Sequence, residues 1–442
     1  MQLQISQLLF FHTRPRSIRF AYTRPLLIIP HQSFARMRGS ATISLPVNDD
    51  VLFRIARRAF SPNFAQGMTM EQRRSPGHDH WFYESQTRPH TSAAAPLVPE
   101  AAHIHDRFLL GLQQEATTLQ PLLQQFQPVL LAARDLSQIL LPDAVQTSLT
   151  HTLTLYDRLS TALTVAQVAG IQRLCNHYSA RLNPLPGPDS SRESNNRLTQ
   201  ITQYARQLAM QPELITRHSI RALDDVGLTE PDIVTLNQLV GFISYQARVV
   251  AGLQAMMGVP VRWIPGVTPP PDASPDALRR EETWQHALKP VELRYASADQ
   301  LAAITYCQGI HGLDDAMWLL VHDARALYGW ATLGQRLEEH YTTDEALAQA
   351  VSARLLGCRL RFSRLAEHWQ EPLLQAVDDL CEQQPVVAIA AQLTRMPDRF
   401  SAAHLQPLLN DGWTPARLFT LLQAVAFASW QDRLLMALGE TR

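Results

Sequence analysis

Lysine is almost absent: of 39 basic side chains only Lys289 is a lysine. Schiff-base chemistry therefore has one candidate, placed beside Pro290 in a connecting segment, and is set aside. Four cysteines, Cys175, Cys307, Cys358 and Cys381, stand far apart and form no CxxC pair and no Cys/His cluster at zinc spacing. That usage fits a reducing cytoplasm and calls for no metal or other cofactor. The sequence HIHD offers His103, His105 and Asp106 as ligands, but the HxH alternation suits a strand, where a helix is expected, so a surface role is assigned. Aromatics are 7% of the chain and β-branched alternation is scarce, which removes the usual signs of a sheet protein. No apolar stretch reaches the roughly 18 residues of a membrane span, so no membrane partner is expected. Clustered positive charge is missing from the body of the chain. Nine arginines against two acids, Asp49 and Asp50, fall in residues 1–67, and the remainder is net acidic. Nucleic acid is therefore not an expected partner.

What the chain has instead is helix formers. Hydrophobic residues are 46% of it, and runs such as LLQQFQPVLLAARDLSQILL recur, which reads as an all-α protein. It also repeats itself. The stretch Gln207 to Leu253 lies without a gap on Gln392 to Leu438 at an offset of 185, with 15 of 47 positions identical. Among the identical pairs are Gly227/Gly412, Thr229/Thr414, Gln238/Gln423, Phe242/Phe427, Gln246/Gln431 and Arg248/Arg433. Self-similarity at a fixed offset marks a duplicated supersecondary unit, and 185 residues is the size of an ordinary domain.

This organisation divides the chain into five parts. Residues 1–67 keep neither a helical nor a strand period and read as a disordered or non-native extension, with translation starting at Met68 or Met70. An Arg-rich, acid-poor transit peptide is the other reading of this segment. Residues 68–100 form a polar arm on the first domain, residues 101–257 the first helical domain, residues 258–292 a proline-rich, semi-rigid linker, and residues 293–442 the second domain. Asn183 to Arg197, with three prolines and several polar breakers, is expected to be an exposed, mobile loop. In each copy a helix and a proline turn lead to a glycine C-cap, Gly227 or Gly412. A threonine N-cap, Thr229 or Thr414, then opens a long apolar helix. Asp232 supplies a carboxylate to the first of these starts, where the second has Arg417. Gln246 falls within the apolar stripe of its helix and, if buried, needs partners.

The segment GLTEPDIVTLNQLVGFISYQARVVAGLQAM resembles the C-terminal helix pair of the carboxymuconolactone decarboxylase and alkylhydroperoxidase-D-like superfamily. More narrowly, the chain is similar to tandem-domain, peroxidase-related bacterial oxidoreductases, over both domains from about Glu100. The F-x-S-[Y/W]-Q-x-R stretch carries most of the likeness. The resemblance implies two tandem all-α domains of antiparallel helices and assembly as a homo-oligomer. For active members it also implies a peroxide-reducing CxxC pair with a nearby glutamate and histidine. Aligning Gly170 with Gly357 puts Ile171 and Leu174 at the cysteine positions of the first domain, and Cys358 and Arg361 at those of the second. Neither domain has both cysteines, so a dithiol cycle has no resolving thiol.

The candidate catalytic residues are Cys358, Glu345, Cys175 and His177. Cys358 stands at the peroxidatic position with Arg359, Arg361 and Arg364 close behind, a setting that lowers a thiol pKa if the side chains converge; otherwise it is a small packed residue. Cys175 and His177 form a thiol and base only if they meet, whereas i and i+2 on a helix face apart. Asp157, Asp344 and Glu345 lie at helix starts, where a proton relay and helix capping are both open. Gln246, Arg248, Gln431 and Arg433 either line a substrate pocket between the pseudo-symmetric halves or satisfy each other or backbone groups across the helix interface, as at a pseudo-twofold contact. The resulting expectation is an oxidoreductase acting on a small molecule, a peroxide reduced with an external thiol. The alternatives are a non-catalytic binding or assembly module, and a cysteine-free, decarboxylase-like acid/base enzyme using Glu345, a histidine and the repeated arginines.

Overall fold

Thr229 opens a 27-residue helix by a reciprocal capping box: its hydroxyl accepts from Asp232 N–H, and the Asp232 carboxylate accepts from Thr229 N–H. Asp232 also accepts from the N–H groups of Thr152 and Leu153, so this cap ties a neighbouring loop to the helix start. Thr414 opens the equivalent helix through Arg417 N–H alone. The Arg417 side chain instead reaches Asp344 at 2.5 Å. The computed structural model describes residues 106–261, 269–279, 284–310, 313, 316–366 and 369–441. The N-terminal extension, the arm, His103 and His105 lie outside the described residues.

The described chain is all-α apart from one short ladder. The first half runs through α1 (Gln127–Leu140), α2 (Leu155–Ala169), α3 (Gln172–Leu182), α4 (Arg192–Met210), α5 (Arg217–Asp224) and α6 (Glu230–Met256). The second half contains α7 (Ala324–Glu338), α8 (Thr343–Leu356), α9 (Arg359–Leu365), α10 (Pro385–Arg395), α11 (Ala402–Asn410) and α12 (Pro415–Leu438). Short helices join these elements. Left-handed glycines close α2 and α8, Gly170 at φ 70° and Gly357 at φ 86°. The expected terminators Gly227 and Gly412 follow α5 and α11, also with positive φ.

Helices α6 and α12 are buried on nearly every side, as helices apolar all round must be. They cross closely enough that a Cβ built on Gly241 would fall 1.8 Å from the Trp430 ring. Polar groups closed into such a crossing lose water and are mostly met by protein atoms. Trp430 Nε1–H donates to Gln238 Oε1 at 3.1 Å, and Tyr245 O–H donates to Gln423 Oε1 at 2.7 Å. These two bonds exchange under the 185-residue offset, which carries Gln238 to Gln423 and Tyr245 to Trp430. Phe242 and Phe427 pack edge-on against Trp430 at 5.6 and 5.9 Å. A second pair joins the halves where Gly329 of α7 meets Leu136 of α1. Buried residues of both halves belong to one contiguous core.

Two segments differ from the sequence expectation. Within Asn183–Arg197 only the first part is loop: Ser191 accepts from Ser194 N–H and starts α4 at Arg192, so the polar run RESNNR is helix. The connector does not stand off as a spacer where it is described. Ala273 N–H donates to Leu355 O at the end of α8, Arg354 donates back to Ala273 O, and Leu278 is buried. Trp284–His286 then pairs antiparallel with Gly439–Thr441. Apolar anchors set between the prolines, together with the free carbonyl at a helix end, hold this segment down.

The crossing gives a direct test. Alanine is favoured over glycine in a helix by about 1 kcal/mol, whereas forcing extra atoms into a packed core costs about 1–3 kcal/mol or more. With only 1.8 Å available, overpacking wins at Gly241. Gly241→Ala is expected to lower unfolding stability by about 2 kcal/mol. Gly252→Ala, whose Cβ would have 3.1 Å, should stay near wild type. Urea unfolding midpoints check this, and a Gly241→Ala midpoint at or above wild type would refute the close crossing.

Candidate functional site

Cys358 is the N-terminal boundary residue of α9, placed there by the sharp exit from α8 at Gly357. It is 1% exposed. Two of the arginines behind it spend donors elsewhere. Arg359 donates to Ala277 O at 2.9 Å. Arg361, at the position where the resemblance implies a second cysteine, is buried and donates to Asp432 at 2.8 Å, Gln349 at 2.6 Å and the Ala428 carbonyl at 3.2 Å. The other Asp432 oxygen accepts from Ser352 O–H at 2.7 Å. Burial pushes the Cys358 thiol well above its ordinary value, the Asp432 carboxylate beside it raises it further, and Arg361 only partly opposes them. The packed-residue alternative thus describes Cys358, and the condition for a lowered thiol pKa is not met. The positive charge exists, but its nearest bearer is paired with a carboxylate from α12.

The other candidates are also placed structurally. Cys175 lies buried on α3, its thiol pushed up to about 12 by burial. His177, two residues on, is buried beside the Tyr178 ring at 5.2 Å. Ile171 and Leu174, at the positions aligned with a cysteine pair, are core residues. Glu345 is 1% exposed and accepts from Thr342 N–H at 2.8 Å and its hydroxyl at 2.6 Å, closing the capping box of α8. Asp157 does the same for Thr154 at the start of α2 and lies 3.5 Å from Arg197. Asp106 caps the turn at Phe108 and Leu109 and pairs with Arg134. The capping alternative thus describes the hydrogen bonds of Asp157 and Glu345.

The repeated glutamines and arginines divide. Gln246 is fully buried and satisfied: Tyr178 O–H donates to it, and its amide donates to the carbonyls of Arg107 and Phe108, each at 2.8 Å. Gln431 is half-buried, and its Oε1 meets no donor among the described residues. Arg248 donates to the Thr394 carbonyl at 2.7 Å, near the C-terminus of α10. Arg433 donates to the Ala209 carbonyl at 2.7 Å, near the C-terminus of α4. Residues 209 and 394 are again 185 apart, so the two arginines reach reciprocally into opposite halves. Each also bonds its own helix one turn back, Arg248 to Ser244 O and Arg433 to Ser429 O, both at 2.9 Å.

Between the two arginines lies a cavity of about 80 Å³, whose lining includes Ser244, Thr394, Asp272 and Arg395. Arg395, also on the lining, pairs with Asp272 and with exposed Asp378. Sequence reasoning found the arginines by their identity in both copies. Thr394 escaped it because its counterpart is Ala209, and Asp272 because it stands in a proline run with no motif. The Arg361–Asp432 pair did leave a signal, an arginine at a cysteine position, with no means of naming its partner. A second cleft, of about 330 Å³, is lined by Pro212, Thr216, Trp284, Cys358 and Arg359 among others.

Removing one member of a buried ion pair leaves the other charge uncompensated, at about 3–5 kcal/mol. Arg361→Met is therefore expected to lose about 3 kcal/mol or more. Adding Asp432→Leu should recover much of that loss. Chemical unfolding of the single and double variants checks this, and a harmless Arg361→Met would mean that Asp432 is stabilised by other groups. No family model matches the chain, and a search of curated proteins gave no match.

Proposed function

We propose that this chain is a ligand-binding module, built as two tandem alkylhydroperoxidase-D-like helical units, in which the positions of a redox pair serve the core. The observation that carries the reading is Arg361. At the position a resolving thiol would need, it forms a buried pair with Asp432, and the neighbouring Cys358 thiol is shielded and disfavoured as a thiolate. The engagement of Glu345 in its cap argues in the same direction against the cysteine-free acid/base alternative. No helix among the described residues is long and apolar enough to cross a membrane. A small-molecule ligand for the cavity between the halves fits this reading.

One observation favours a second reading, a one-cysteine peroxidase: the larger cleft borders Cys358. In that reaction the thiolate attacks one peroxide oxygen, the O–O bond breaks, and the products are a sulfenic acid and an alcohol or water. Two equivalents of an external thiol then return the sulfur to its starting state.

Treating the native protein with hydrogen peroxide in the presence of dimedone, followed by peptide mass measurement, separates the two. The binding-module reading expects no adduct at Cys358 and equal peroxide consumption by wild type and Cys358→Ser. A selective adduct at Cys358, with consumption lost in Cys358→Ser, overturns it in favour of the peroxidase. Iodoacetamide alkylation gives a matching expectation: half-exposed Cys381 reacts first, and Cys358 reacts only on unfolding.

A further inference from the structure

Arg248 and Arg433 are 4% and 2% exposed, and neither has a carboxylate within ion-pair distance among the described residues. A guanidinium does not shed its proton in a protein, so both remain charged inside the fold. The two also repel each other. Burying a charge is tolerated when opposite charge or strong acceptors meet it.

Part of the compensation is visible. The arginines sit at the C-terminal ends of α10 and α4, each of which presents about half a negative charge. Two such ends offset about one of the two positive charges. Asp432 attracts both arginines, but its oxygens are taken by Arg361 and Ser352, and Asp272, on the cavity lining, is paired with Arg395. Asp378 is 82% exposed, and solvent screens it. The two guanidinium groups on the lining thus keep a positive excess without an ion-pair partner of their own among the described residues.

The hydrogen bonds of the two arginines differ. Arg433 is nearly saturated, with Nε, Nη1 and Nη2 all donating. Arg248 uses only its two terminal nitrogens, and its Nε–H meets no acceptor among the described residues. The Thr394 hydroxyl, 4% exposed and also lining the cavity, is likewise without a partner there. The unpaired Arg248 Nε–H and Thr394 hydroxyl belong to lining residues but are themselves closed off from water, so a small oxyanion in the cavity would meet them after a small shift of these side chains. A volume of about 80 Å³ suits an ion of a few heavy atoms, since one water needs roughly 10–15 Å³ by this measure.

We infer that the cavity between Arg248, Arg433 and Thr394 binds a single small oxyanion, a carboxylate or phosphate group. This gives the binding-module reading its ligand class and rests on that reading.

The test is the thermal midpoint of the full chain titrated with sodium acetate and, separately, sodium phosphate, with sodium chloride holding ionic strength constant. The variants are Thr394→Val, which removes a hydroxyl the fold does not use, and Arg248→Lys, which keeps the charge but loses the fork. A saturating rise in midpoint with acetate or phosphate is expected for wild type, and the more effective ion identifies the source of the oxyanion. Thr394→Val should keep the unliganded midpoint and weaken the apparent affinity about tenfold, the effect of one hydrogen bond to a charged group. Arg248→Lys should weaken it further. A midpoint that follows ionic strength alone, or variants that titrate like wild type, overturns the site. Peroxide and dimedone treatment of the same samples keeps the two readings distinguishable: an adduct at Cys358 refutes the redox-silent reading, whereas only the titrations refute the oxyanion site.

Discussion

The close crossing of α6 and α12 is the constraint on which the rest of this structure depends. Two helices with apolar residues on all faces cannot be solvated and must be wrapped by the other helices. At Gly241 the backbone approaches the Trp430 ring with no room for a Cβ, which brings the two halves into one core. Closeness has a second effect. Polar groups caught between the helices lose water and must be met by protein atoms, and the reciprocal bonds of Gln238, Tyr245, Gln423 and Trp430 answer that demand. The satisfaction is incomplete: the Nε2 groups of Gln238 and Gln423 have no acceptor among the described residues. Burial of the flanking aromatic surface therefore carries the stability of the crossing, and these hydrogen bonds mainly fix its register.

The same burial decides what chemistry the scaffold can support. A thiol becomes a nucleophile when positive charge and solvent favour its anion, and the surroundings of Cys358 do the opposite. Arg361 cannot serve both Asp432 and a thiolate. Its bidentate reach to Asp432 and Gln349 fixes it to α12 and α8, away from the role of activator. Arg248 and Arg433 are equally buried yet lack a carboxylate. Arg361 holds the ion pair with Asp432, whereas Arg248 and Arg433 line a cavity.

Much of the fold could be read from the chain because helix starts and stops are local. Thr229, Thr414, Gly227 and Gly412 act where their spacing places them, since a cap is satisfied by residues within one turn. The burial of Gln246 within an apolar stripe was legible too, and so was its need for partners, but not their identity. Tyr178 and the backbone at Arg107 and Phe108 come from far along the chain. The polar run after Ser191 misled because its residues favour loops individually, while one cap and the following apolar period made it helix. The packed connector was illegible for a similar reason, since its anchor is a carbonyl at the end of α8.

The candidate site shows the same division between local and distant causes. Identity at Arg248 and Arg433 under the 185-residue offset singled them out, because identical residues at matching positions point to something shared around them. In the fold that something is the end of a helix in the opposite half, met through backbone carbonyls that any residue supplies, which is why Ala209 and Thr394 need not match. The difference at those two positions then becomes informative. Where the backbone does the shared work, the side chain is free to differ, and only Thr394 places a hydroxyl on the cavity wall beside Arg248. Binding at this cavity would therefore be asymmetric although the arginines around it are arranged symmetrically, because the unpaired Nε–H belongs to Arg248 and the lining hydroxyl to Thr394.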